Sequence, residues 1–140
     1  MKTLLVLFCF ISFQISLMAQ IETKEHPIDV QLKACLDKDE NQTTLGMINC
    51  EAEAQVAWDK ALNDNYKELR GMLKGEDRER LKLSQRQWIK YRDLELEFSS
   101  YMHYNMEGTL YRVIGAGRQT EFVKARALEL RDYIETLSMQ

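Results

Sequence analysis

Apolar residues recur at three- and four-residue steps along most of this chain, the spacing that lines one face of an α-helix rather than the alternation of a strand. Four such segments are visible. The first, over residues 27–38, carries Ile28, Leu32, Ala34, Cys35 and Leu36 and starts at Pro27, which a first helical turn tolerates. Asp37-Lys38-Asp39-Glu40-Asn41-Gln42 then breaks the pattern and reads as a turn. Thr43 or Thr44 caps a second helix, a side-chain oxygen accepting an orphan backbone N–H. Its stripe is Met47, Cys50, Ala54, Ala57, Trp58, Ala61, Leu62, Tyr66, Leu69 and Met72, with Gly71 and Gly75 marking its end.

Glu76 and Asp77 open a third helix, where negative charge suits the helix dipole. Leu81, Trp88, Tyr91, Leu94 and Phe98 are its predicted apolar face, and the pattern dissolves over residues 99–108. A fourth helix over residues 109–137 aligns Leu110, Val113, Ala116, Gly117, Thr120, Val123, Ala127, Leu130, Ile134 and Leu137. Each helix is amphipathic on one stripe, so none is stable alone. The prediction is an all-α antiparallel bundle of three long helices plus a short N-terminal one, without linker or internal repeat.

The first twenty residues follow a different rule. One lysine, Lys2, precedes an apolar run from Leu4 to Phe13, followed by smaller and polar residues around Ser16 and Ala19. About ten apolar residues are too few for the ~20 of a membrane-spanning helix. Residues 1–19 therefore read as a secretory signal peptide and residues 20–140 as one exported domain, periplasmic or secreted. An uncleaved N-terminal anchor is the competing reading. The residues before Cys9, Val6-Leu7-Phe8, lack the small side chains of a lipoprotein signal.

Export changes the arithmetic of charge and cysteine. The whole chain has 19 basic and 22 acidic residues, net −3. Without Lys2 the exported part has 18 and 22, net −4, and without Cys9 it keeps two cysteines of three. This mildly acidic balance gives no electrostatic reason to expect nucleic acid or an anionic membrane as partner. Two cysteines in an exported chain pair most simply as a disulfide, Cys35–Cys50. Closing a loop of that size stabilises by about 3 kcal/mol in the chain-entropy model.

Chemistry-bearing motifs are scarce. His26 and His103 are the only histidines, and no His-x-x-x-His, cysteine cluster or calcium loop accompanies them. Gly115-Ala116-Gly117 lacks the strand and third glycine of a phosphate loop; it reads as small residues that let helices approach closely. No nucleophile elbow is present. Glu51 and Glu53, or Glu95 and Glu97, sit two apart and point to different sides of a helix. The sequence therefore predicts no catalytic residue, no cofactor and no metal site, and the chain reads as a non-enzyme.

Two polar features remain. Gln85, Arg86, Trp88, Tyr91, Arg92 and Asp93 on the third helix, with Asp59, Asn63 and Tyr66 on the second and Arg126 on the fourth, form a candidate polar network. Such a network fixes bundle register, or serves as a recognition surface. Tyr101, His103 and Tyr104 gather where the helical pattern fails and are a candidate contact for a partner.

These same residues carry a resemblance. His26-Pro27-Ile28-Asp29, Cys35, Thr44, Met47, Cys50, Ala57-Trp58-Asp59-Lys60, Leu62-Asn63 and Tyr66 open it. Gln85-Arg86, Trp88, Tyr91-Arg92-Asp93, Gly108-Thr109, Arg126 and Leu130 complete it. The pattern resembles the LprI-type lysozyme-inhibitor family, whose N-terminal-like domain was long catalogued as of unknown function. In many relatives a cysteine follows the Arg-Asp pair by three residues and another lies in the last helix; this chain has Leu96 and about Arg118 there, one disulfide fewer. The resemblance implies an exported helical protein and, for some members, inhibition of lysozyme as protein partner, by steric blockage. A periplasmic scaffold module with another partner is the alternative.

Overall fold

The computed structural model describes residues 25–139, and the proposed signal segment, residues 1–19, lies outside them. Helix α1 spans Pro27–Leu36, α2 Thr44–Met72, α3 Gly75–Tyr104 and α4 Leu110–Ser138, with a 3₁₀ turn at Asp39–Asn41 between α1 and α2. The all-α bundle and its one disulfide are as the sequence predicts. Cys35 and Cys50 are bonded, their Cα atoms 5.8 Å apart, which ties α1 to the first turns of α2.

Local chemistry explains the starts and stops. His26 caps α1 through Nδ1, which accepts the Ile28 N–H at 3.2 Å, and Pro27 follows in the first turn. Thr43, rather than Thr44, caps α2, its Oγ1 accepting from Gly46 N–H at 3.0 Å. Gly46 is there because the preceding turn crosses it. A Cβ at that position would lie 2.6 Å from Asn41 Cα, backbone that cannot yield.

α2 and α4 pair along much of their length and supply the core. Trp58, Leu62 and Leu69 of α2 interlock with Val123, Ala127, Leu130 and Ile134 of α4, while Ile28 of α1 closes one flank. The stripes predicted for these two helices are the ones buried, apart from their ends at Met72 and Leu110, which stay exposed. Two buried polar groups join the pair: Asn65 Nδ2 donates to the Ala127 carbonyl at 2.8 Å, and Thr120 Oγ1 to the Glu51 carbonyl at 3.1 Å. Each satisfies a group that would otherwise be costly to bury.

α3 departs from the expected pattern in two ways. It continues through Ser99 to Tyr104, so the break predicted over residues 99–108 shrinks to the turn before α4. The face it turns inward is also only in part the predicted one, since Leu81 and Trp88 pack against the core. Tyr91, Leu94 and Phe98 are exposed, and the inward row is Leu81, Gln85, Trp88, Arg92, Ser99 and His103. The reason is that α2 and α4 already cover each other's apolar stripes. α3 leans on α4 alone for most of its length, and there it meets the buried guanidinium of Arg126, which needs polar partners.

Candidate functional site

The polar network predicted from sequence is partly assembled and gains members that sequence reasoning missed. Arg126, buried on α4, donates from Nε to Gln85 Oε1 at 3.1 Å and pairs through Nη1 with Glu129 at 2.6 Å. Its guanidinium lies 5.9 Å from the Trp88 ring centre, and that of Arg92 lies 5.4 Å from it. Phe122 of α4 stacks on Trp88 at 6.0 Å and meets Tyr91 at 5.4 Å. Arg92 pairs with neighbouring Asp93 at 2.8 Å and reaches across to Asp59 of α2 at 3.9 Å. Asn63 turns back on Asp59, donating to its carboxylate at 2.9 Å.

Trp88 is thus the centre of a cation–aromatic cluster that pins α3 to α4. Tyr66 does not join this cluster but packs against the apolar core. Arg86 is exposed and makes no ion pair among the described residues. Sequence reasoning passed over Asn65 and Arg131, whose 2.6 Å hydrogen bond continues the polar link between α2 and α4. The signal was available: Asn65 stands on the inward stripe between Leu62 and Leu69.

A second cluster surrounds Trp58. The His26 ring lies 4.2 Å from it, tilted by 34°, and Lys124 Nζ lies 5.7 Å from its centre. Lys124 also bridges Asp29 of α1 at 3.1 Å and Glu121 at 3.2 Å. Burial pulls its pKa down, but the hydrogen bonds to Asp29 and Glu121 outweigh that and hold it above the usual lysine value. Both histidines are therefore built into the packing, and no cluster of metal-ligating side chains occurs among the described residues.

The candidate contact at the end of α3 divides. Tyr101 and Tyr104 project into solvent, 74% and 71% exposed. His103 turns inward and is only 7% exposed, with Nδ1 2.7 Å from the Ser99 carbonyl. Gly115 makes room for it, since a Cβ there would sit 3.1 Å from His103 Cβ. The small-residue run on α4 is thus used for close approach, with Gly117 likewise facing Glu51 of α2. Beside these residues is an open groove of about 300 Å³ between α2, α3 and α4, lined among others by Gln55, His103, Tyr104, Arg112 and Gln119. Arg112 rests over Tyr104, 5.4 Å from its ring centre.

A family match, described as lysozyme inhibitor LprI, extends over residues 35–130. The chain belongs to the LprI family. The match takes in the disulfide, the Trp88 cluster and the α2–α4 core as far as Leu130. The fold is similar to a crystal structure of an uncharacterised protein from Burkholderia thailandensis, with a TM-score of 0.77 and 28% sequence identity. That similarity covers 81% of this chain and 56% of the Burkholderia chain, so the chain spans just over half of that relative's length. No match was found among curated proteins. Leu96 and Arg118 line one groove between α3 and α4. No helix among the described residues is long and apolar enough to cross a membrane.

Proposed function

We propose that the chain is an exported, non-enzymatic binding protein that inhibits a lysozyme-type muramidase by obstructing its substrate cleft. The observation that carries this reading is the lysozyme-inhibitor family match over residues 35–130. Residues 1–19 direct export and residues 20–140 form the one domain. The Cys35–Cys50 disulfide is compatible with an oxidising compartment. The contact is the α3–α4 end, where Tyr101 and Tyr104 offer rigid aromatic area with polar tips. The acidic balance of the domain favours encounter with a basic enzyme and acts on association rate more than on affinity.

Lysis of a peptidoglycan suspension, followed by turbidity with and without the purified protein, tests this. Slower clearing by lysozyme is the expected result. Clearing without added lysozyme contradicts the non-enzymatic reading. No effect at micromolar protein contradicts inhibition and leaves a scaffold module with another partner.

A further inference from the structure

The outward face of α3 is apolar and uncovered among the described residues. Tyr91, Leu94, Phe98 and Tyr101 are 56%, 68%, 60% and 74% exposed, though they form one continuous row. With Gln87 they follow a 4-3-4-3 spacing, the spacing that a two-stranded coiled-coil seam requires. The seam from Gln87 to Tyr101 is ~21 Å long at 1.5 Å per residue.

Charge along the same stretch is divided by position. Lys90 lies in its first half and Glu95 and Glu97 in its second, while Arg92 turns inward and pairs with Asp93 and Asp59. Lys90, Glu95 and Glu97 make no ion pair among the described residues. Such a helix repels a parallel copy of itself and complements an antiparallel one.

We infer that α3 is a homodimerisation helix, pairing antiparallel with α3 of a second copy of this chain. In the register that matches both features, Tyr91 packs on the second copy's Leu94 and Phe98 on its Gln87. Lys90 then faces the second copy's Glu97, and two-fold symmetry repeats each contact. An interface confined to one helix face is small, so the dimer should exchange with monomer over an accessible concentration range. Tyr101 lies within the seam, whereas the groove beside Tyr104 and Arg112 lies off it. The inference does not rest on the inhibitory reading, because association is measured with no lysozyme present.

Sedimentation velocity over a protein concentration series is the test. A rise from the monomer mass to twice that mass is expected, weakening as salt is added. Leu94→Glu, at an exposed site, should abolish the rise while leaving helicity by circular dichroism unchanged. Lys90→Glu should weaken association, and Lys90→Glu with Glu97→Lys should restore it. A monomer at every concentration, a dimer indifferent to Leu94→Glu, or failure of the charge exchange to restore association would each overturn the proposal.

Discussion

Arg126 Nε donates to Gln85 Oε1 at 3.1 Å across the α3–α4 interface, and both side chains are buried. This contact decides which way α3 faces. A buried guanidinium without acceptors is far more costly than an exposed tyrosine or leucine, so the face of α3 that carries Gln85 turns inward and Tyr91, Leu94 and Phe98 turn outward. Arg126→Ala should lower stability by about 2–3 kcal/mol, the usual cost of leaving a hydrogen-bonded partner of a charged group unpaired. A double-mutant cycle with Gln85→Ala, read by urea denaturation, should return a coupling of about 1 kcal/mol or more. Additive effects would show that the two side chains do not act together.

His26 joins the start of α1 to the core by capping it and stacking on Trp58. His26→Ala loses both contacts and should cost about 1–2 kcal/mol. His26→Asn keeps a capping oxygen and should recover part of that loss. Equal melting temperatures for the two variants would mean that the cap contributes nothing.

The disulfide holds α1 and the 3₁₀ turn against α2, outside the α2–α4 core. Replacing Cys35 and Cys50 by serine should therefore lower stability by about 2–4 kcal/mol without removing the helices. Circular dichroism before and after chemical denaturation measures both quantities. Loss of helicity in the unstressed protein would assign the disulfide a larger role than this packing gives it.

Lys124 ties α1 to α4 through Asp29, and its pKa is raised above the ordinary lysine value. A raised lysine pKa means that the folded state holds the proton more tightly. Its contribution is therefore fully present below the unfolded value of about 10.4 and disappears as pH climbs through the folded one. Wild-type protein should lose more stability than Lys124→Met on going from pH 9 to above about 11. Parallel losses in the two proteins would show that the Asp29 bridge adds no stability.

Tyr101 and Tyr104 are exposed enough that replacing them should disturb the contact and not the fold. Tyr104→Ala should weaken lysozyme inhibition by about tenfold, as expected for a central aromatic anchor, with unchanged helicity. Tyr104 lies off the dimer seam, so this variant should still self-associate. Tyr101→Ala should weaken both inhibition and self-association. Undiminished inhibition by the double variant would place the contact elsewhere.

Much of this protein is determined by its sequence alone. The three- and four-residue spacing specifies four helices, and Pro27 and the pair Thr43-Thr44 mark where two of them begin. The pair Cys35 and Cys50 specifies the disulfide once the first nineteen residues are set aside. The α2 and α4 stripes are legible because both are nearly all apolar and bury against each other. The orientation of α3 and the fate of His103 are not legible in this way. An amphipathic pattern shows that a helix has an apolar side, but not that this side has anything to cover it. Only the tertiary structure decides that. There the α2–α4 pair supplies the buried core, flanked by Ile28 of α1 and by Leu81 and Trp88 of α3, and Arg126 and Gly115 take Gln85 and His103 as neighbours, so the row of α3 that carries Tyr91, Leu94, Phe98 and Tyr101 faces solvent.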